Sequence, residues 1–222
     1  MTLRLHTYWR SSAAFRVRIA LALKGLDYES VPRHLLRGGG EQRRADYLAL
    51  NPQGLVPVLD HDGFLLSQSI AICEYLEEVV PDPPLLPAAA RDRATVRSMA
   101  LVVACDIHPL NNLGIQQYLR SELGQDEAAI KGWTHRWIAR GFAALEELVG
   151  RHSADGCHSF GSSVTLADVC LVPQMYNARR ARLDLAPYPR LTAISACLES
   201  LPPFAAARPE AQPDAEQLVG SA

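Results

Sequence analysis

The chain has 222 residues, 48% hydrophobic and 21% charged, and its 22 Lys and Arg against 24 Asp and Glu leave a formal net charge of −2. At about 150 residues per domain, this length accommodates one large domain or two small ones. The near-neutral balance disfavours nucleic-acid binding, which rests on a concentrated positive field. No run approaches the ~20 apolar residues that span a bilayer, and the first six residues lack the continuous apolar core of an export signal.

In the first eighty residues strand and helix signals mix. Leu3, Leu5 and Thr7 alternate with Arg4, His6 and Tyr8, which predicts a strand. From Ala13 to Lys24 helix formers dominate and Gly25 stops them, with Ser11 or Ser12 as the N-cap. A short strand follows around Tyr28–Val31, then a glycine-rich loop at Arg37–Glu41 and a brief helix over Arg43–Leu50. Pro57, set among apolar residues, marks the start of a strand, because proline cannot donate to a ladder. Asp62-Gly63 signals a hairpin into Phe64-Leu65-Leu66, and Ser67-Gln68-Ser69 opens a helix running to about Val80.

Pro81–Pro87 holds four prolines in seven residues and reads as a stiff connector. Beyond it the strand signals nearly vanish. Helices are expected over Arg91–Leu123, broken or bent near Pro109, over Asp126–Val149, and from Thr165-Leu166-Ala167-Asp168, a capping-box spacing, through Met175. Leu191–Leu201 reads as the last helix, and from Arg208 the polar tail has little to bury and is expected to be loose. An α/β domain over residues 1–82, a linker over 83–90 and an all-helical domain with a polar tail over 91–222 follow from this pattern.

Three features can carry chemistry. At Tyr8-Trp9-Arg10-Ser11-Ser12 a strand ends, two hydroxyls appear and a helix begins. Free amides and the positive end of the helix dipole favour an anion there, and a thiolate so placed has its pKa lowered. The plainer reading is that both serines only cap the helix, and spacing alone leaves the two open. No cysteine lies near this junction, so a thiolate would have to come from a ligand. Gln68-Ser69 is a second polar pair at a helix start, able to hold a carboxylate or simply to cap. The Val56-Pro57 bond, if cis, would turn the backbone groups of Val56 toward an extended ligand. Together these features suit a peptide-like ligand with several charges. Cys73, Cys105, Cys157, Cys170 and Cys197, odd in number and mostly in apolar surroundings, read as buried thiols of a reducing, cytoplasmic compartment. With no Cys-x-x-Cys and no His-x-x-x-His pair, no metal is expected.

The βαβαββα order, Val56-Pro57 and Gln68-Ser69 resemble the thioredoxin-like domain of glutathione transferases. The string Arg10-Ser11-Ser12-Ala13-Ala14-Phe15-Arg16-Val17-Arg18-Ile19-Ala20-Leu21 is similar to the signature of their zeta class, that of maleylacetoacetate isomerase. Asn51–Pro57, Cys105–Asn112, Thr165–Asp168 and Asn177–Arg180 resemble the same class, so the likeness runs nearly end to end. One departure stands out: many members carry a cysteine two residues after the first serine, where this chain has Ala13.

The resemblance implies a thioredoxin-like domain followed by the all-helical glutathione transferase domain, forming a cytoplasmic homodimer that meets neither nucleic acid nor membrane. It implies glutathione as cofactor. Ser11, Ser12, Ala13, Ala14, Phe15 and Arg16 would hold its sulfur end, Gln42 its glycyl end, Val56 its cysteinyl backbone, and Gln68 and Ser69 its γ-glutamyl group. His108, Asn112, Leu113 and Gly114 would complete the site, although His108 by itself reads as an ordinary interior histidine. Arg10 and Arg180 would face the carboxylates of a small dianionic substrate, since a planar guanidinium can give a carboxylate two parallel hydrogen bonds. The implied reaction is the isomerisation of maleylacetoacetate to fumarylacetoacetate in tyrosine and phenylalanine catabolism. Reversible thiolate addition would turn the double bond into a rotatable single bond. Maleylpyruvate isomerase of the gentisate pathway, a general zeta-class transferase and a catalytically silent interaction protein are the alternatives.

Overall fold

Alternation at the N-terminus forms the strand it predicts. β1 (Leu3–Thr7) buries Leu3 and Leu5 and lies inside a four-stranded sheet of order β2-β1-β3-β4. It runs parallel to β2 (Glu29–Pro32), with Leu5 opposite Ser30, and antiparallel to β3 (Val58–His61), with Leu5 opposite Leu59. β3 in turn pairs antiparallel with β4 (Phe64–Ser67). The parallel pair needs a long crossover, and α1 (Ser12–Leu23) provides it. At the β3–β4 turn Asp62 and Gly63 have φ of 51° and 90°, the left-handed values a two-residue hairpin turn requires. A four-residue helix, α2 (Ala45–Leu48), occupies the shorter core of the segment read as Arg43–Leu50, and α3 (Ser69–Val79) follows the hairpin.

Every residue of α1 from Ala14 to Leu21 is buried, Arg16 and Arg18 included. Such a helix shows no polar stripe because it has neighbours on more than one side. One neighbour is α3 and another is α9 (Pro202–Ala207), from the far end of the sequence. Arg18 fastens this arrangement. Its guanidinium donates to the carbonyls of Ala207 (3.0 Å), Tyr8 (3.4 Å) and Trp9 (2.9 Å) and to Thr7 Oγ1 (3.3 Å).

The chain end departs from the expected loose tail. Backbone contacts divide the protein, of which residues 2–216 are described, into Met1–Pro83 joined by the segment that begins at Leu201, and a second unit, Pro84–Ser200. Asp214 accepts the Trp9 amide at 2.9 Å, Ala215 packs against the cluster of Tyr8, Trp9, Tyr47, Val56 and Val58, and Glu216 accepts from Arg37 at 2.6 Å. Few apolar residues are needed for this, because the tail is held by specific polar contacts. The rest of the tail, residues 217–222, lies outside the described residues.

The second unit is helical among its described residues. α4 (Ala90–Leu101) runs into a π-helical turn, Val102–Ile107, and a 3₁₀ turn, Pro109–Asn111, before α5 (Leu113–Ser121), so the expected break near Pro109 is a graded one. α6 (Glu127–His152), α7 (Leu166–Arg180) and α8 (Pro189–Glu199) complete it. The Thr165–Asp168 capping box forms, with Asp168 accepting from Thr165 N (2.8 Å) and also from Ser159 N (2.7 Å). α7 continues past Met175 to Arg180 and accommodates Pro173 in its interior.

The cysteines differ from expectation. Cys73 and Cys170 are buried thiols, but Cys105 is exposed, and Cys157 and Cys197 are joined as a disulfide with Cα atoms 5.4 Å apart. A sequence separation of 40 conceals that adjacency. Among the described residues no helix is long and apolar enough to cross a membrane, and no His, Cys, Asp and Glu cluster could hold a metal ion.

Two glycines of α6 give opposite expectations for the same substitution. A Cβ at Gly141 would fall inside the Ile107 side chain, whereas one at the exposed Gly132 meets nothing within 4 Å. Gly132→Ala is therefore expected to stabilise by about 0.5–1 kcal/mol. Gly141→Ala is expected to destabilise by about 1–3 kcal/mol through overpacking. Urea denaturation of both variants reads the difference in sign.

Candidate active site

The Tyr8–Ser12 junction is held by its backbone before any side chain acts. Arg18 takes the Trp9 carbonyl and Asp214 the Trp9 amide, so that one residue is fixed through both of its polar backbone groups. Ser11 N donates to Tyr8 O at 2.9 Å, closing the turn into α1. Ser11 is the N-cap, and its Oγ accepts the Ala14 amide at 3.2 Å. A hydroxyl has one proton and two lone pairs. By capping as an acceptor, Ser11 keeps its O–H to donate, so the two readings of this serine, cap and anion holder, are compatible. Ser11, Ser12 and Ala13 are half-buried, while Ala14, Phe15 and Arg16 are core residues. Arg10 is half-buried, with its guanidinium carbon 5.4 Å from the centroid of the Trp9 ring.

Val56 sits just outside β3, before a cis Pro57. Its position is set from the preceding carbonyl: Tyr47 Oη (2.7 Å) and Asn51 Nδ2 (2.8 Å) both donate to Leu55 O. Burial pushes the Tyr47 hydroxyl well above its usual range, so it stays a neutral donor. Among the described residues the Val56 main chain has no hydrogen-bond partner in the fold, which leaves an N–H and a C=O for an extended ligand.

At the start of α3 the N-cap is Gln68, held at φ 70°, and it gives the helix no side-chain cap. Its Nε2 donates instead to Gln53 Oε1 at 2.8 Å. Positive φ in a non-glycine residue is strained backbone of the kind that clusters at ligand-binding sites. Ser69 is buried, and its Oγ accepts from Arg16 Nη1 at 3.2 Å. Gln42 is buried as well, with Nε2 3.4 Å from Leu35 O and Oε1 without a partner. Ser11, Val56, Gln68, Ser69 and Gln42 thus all belong to the first unit. An uncapped helix start, an unpaired strand-edge residue and a donating hydroxyl fit a ligand with a carboxylate, a peptide backbone and an anionic sulfur.

The remaining sequence candidates lie in the second unit. His108 is half-buried at the end of the π-helical turn, a feature frequent at functional sites. Asn112 caps α5 by accepting the Ile115 amide at 3.0 Å, Leu113 is half-buried and Gly114 is exposed. Of the two adjacent arginines ending α7, Arg179 is committed to Glu199 at 2.6 Å. Arg180 is exposed and donates to the Asn177 amide oxygen at 2.8 Å, a neutral partner.

Sequence reasoning missed Arg18, Tyr47, Asn51, Gln53 and Asp214, which position the others. Arg18 did carry a signal, as a charged residue inside a helix that is apolar on all sides. Asp214, 205 residues from its partner, had none.

Residues 10–79 match the family model described as the N-terminal domain of glutathione S-transferase. A probable maleylacetoacetate isomerase of Vibrio cholerae is 52% identical over 215 residues, 97% of this chain and 99% of that one. A holo structure of maleylpyruvate isomerase, described as a bacterial zeta-class glutathione transferase, superposes with a TM-score of 0.93 at 49% identity, covering 96% of this chain and all of that one. A maleylacetoacetate isomerase from Anaeromyxobacter dehalogenans, solved with glutathione in its active site, gives 0.86 at 46% identity over 97% of this chain and 98% of that one. A donating serine at a helix start, an unpaired Val56 backbone and similarity over nearly the whole length agree: this chain belongs to the zeta class of glutathione transferases, the family of the maleylacetoacetate and maleylpyruvate isomerases.

Proposed function

We propose that the protein isomerises maleylacetoacetate to fumarylacetoacetate with glutathione as cofactor, in the catabolism of tyrosine and phenylalanine. The observation that carries this reading is Ser11, whose Oγ caps α1 as an acceptor and so keeps its proton for an anionic sulfur. Bound glutathione would supply a thiolate that adds reversibly to the substrate alkene, which is the chemistry rotation about a double bond requires. The chain's own part is to hold and polarise. Ser11 and the first amides of α1 would lower the thiol pKa by stabilising its charged form. Val56 would pair with the cysteinyl backbone, and Gln68 and Ser69 would take the γ-glutamyl carboxylate at the uncapped start of α3. Gln42 is assigned to the glycyl end, and His108, Asn112, Leu113 and Gly114 to the rest of the pocket. No cysteine of the chain is needed, since Ala13 occupies the place where many relatives carry one.

Arg10 and Arg180 are assigned to the substrate carboxylates. Arg10 is half-buried beside the Trp9 ring, and Arg180 is exposed at the end of α7, where it donates to the Asn177 amide oxygen. Arg10→Ala and Arg180→Ala are each expected to raise KM for the dianionic substrate about tenfold to a hundredfold. That is the effect of losing one charge-assisted hydrogen bond of about 1.5–3 kcal/mol. Steady-state kinetics on both variants check it, and unchanged KM in both would remove the clamp.

Maleylpyruvate is the second reading, supported by the 0.93 TM-score of the maleylpyruvate isomerase structure. Assays of the two substrates in parallel, with and without glutathione, separate the readings. Turnover without glutathione would overturn the mechanism, and a strong preference for maleylpyruvate would overturn only the choice of substrate. The cytoplasmic location and the homodimer carry over with the same proposal.

A further inference from the structure

Arg16 is 2% exposed, in the middle of the buried run of α1. Its Nη1 donates to Ser69 Oγ, and its Nε and Nη2 have no hydrogen-bond partner. Among the described residues no carboxylate pairs with it. Two residues further along the same helix, Arg18 shows the ordinary solution, with its guanidinium spread over four protein oxygens. Burying a guanidinium with one neutral partner is costly, so a buried arginine so poorly satisfied calls for an explanation beyond packing.

The place where that charge would arrive is the helix start in front of Ser69. Gln68 holds a left-handed φ and leaves the first amides of α3 without a side-chain cap. Those amides, the dipole of an 11-residue helix and a buried cation behind Ser69 all favour an anion at the same spot. Arg16 also decides which way the serine points. Because Oγ accepts from Nη1, one lone pair is used, and the hydroxyl proton is turned away from the guanidinium to donate elsewhere.

We infer that Arg16 is a positioning residue. From behind Ser69 it orients the serine hydroxyl as a donor and supplies the positive charge that draws the α-carboxylate of a γ-glutamyl group to the start of α3. This rests on the glutathione reading above and deepens it. Because Arg16 is buried against Ser69, its place is behind the glutamyl end rather than at the sulfur end expected from the sequence, so it governs how tightly the glutamyl end is held and leaves the reacting end to Ser11.

The test is a cycle in both protein and ligand. Calorimetry would compare glutathione with its analogue carrying an amide in place of the γ-glutamyl α-carboxylate, on wild type, Arg16→Met, Arg16→Lys and Ser69→Ala. In the wild type the amide should bind about tenfold to a hundredfold more weakly than glutathione. In Arg16→Met the two ligands should bind within about threefold of each other, because the charge that told them apart is gone. Arg16→Lys restores a buried cation and should recover most of the discrimination, and Ser69→Ala, which leaves α1 untouched, should lose it. Equal weakening of both ligands by Arg16→Met and Ser69→Ala would mean a structural role only and overturn the inference. If Arg16→Met does not fold, undiminished discrimination in Ser69→Ala overturns it. A wild type that binds neither ligand overturns the glutathione reading itself, an outcome distinct from binding without discrimination.

Discussion

Replacing Ser11 by alanine is expected to lower kcat/KM about a hundredfold to a thousandfold, the usual effect of removing one donor aimed at a reacting anion. The serine caps α1 through its oxygen, and losing that bond costs about 1 kcal/mol of stability, too little to unfold the domain. Stability and activity are therefore expected to separate. Urea denaturation should move slightly while kcat/KM collapses, and the absorbance of enzyme-bound thiolate should titrate at higher pH than in the wild type. The sign follows from the donor: without the hydroxyl the charged sulfur is less stabilised, so its pKa rises. A loss of activity under tenfold would leave Ser11 as a cap alone. Ser12, the first residue inside the helix, should give a smaller effect.

The largest effect on stability is expected at Arg18. Arg18→Met keeps most of the side-chain volume but strips partners from the carbonyls of Tyr8, Trp9 and Ala207 in a buried setting. Each unsatisfied group costs about 1–3 kcal/mol, so a total loss of about 3–5 kcal/mol is expected. That is a large share of the 5–15 kcal/mol, roughly, by which a domain is stable. Chemical denaturation measures it directly. Arg16→Met gives up a single hydrogen bond to the protein and should cost clearly less. Two arginines on either side of Val17 are thus expected to divide the labour: Arg18 holds the fold together and Arg16 backs Ser69. A loss at Arg18 no greater than at Arg16 would contradict this division.

The pattern of residues made much of the first unit legible, because local chemistry determines it. Alternation placed β1, the serine pair placed the start of α1, and Asp62-Gly63 placed the hairpin turn. The candidate site was visible where function is written in a contiguous string, as at Tyr8–Arg16 and Gln68-Ser69. What stayed hidden depends on contacts between distant parts of the chain. α9 was missed because the last expected helix ended at Leu201, although Pro202 and Pro203 are well suited to the first turn of a helix. The tail was read as loose because it is polar, yet Asp214 and Glu216 are held by hydrogen bonds rather than by apolar burial. Cys157 and Cys197 looked like independent thiols for the same reason. Arg16 and Arg18 are identical in the sequence pattern, and only their partners tell them apart.

The return of the chain end to α1 has a consequence for how the protein is made. Arg18 waits for the Ala207 carbonyl and the Trp9 amide for the Asp214 carboxylate, and both emerge from the ribosome more than 100 residues after Pro83. At a synthesis rate of about 5–20 residues per second, that interval is roughly 6–25 s. Throughout it the first unit has its four strands and the helices α1, α2 and α3, but Arg18 lacks a partner that has yet to be translated. Until residues 207 and 214 have emerged the serine junction lacks two of its contacts, so a ribosome that stalls before them leaves a nascent chain with the sequence of the active site but without its fastening.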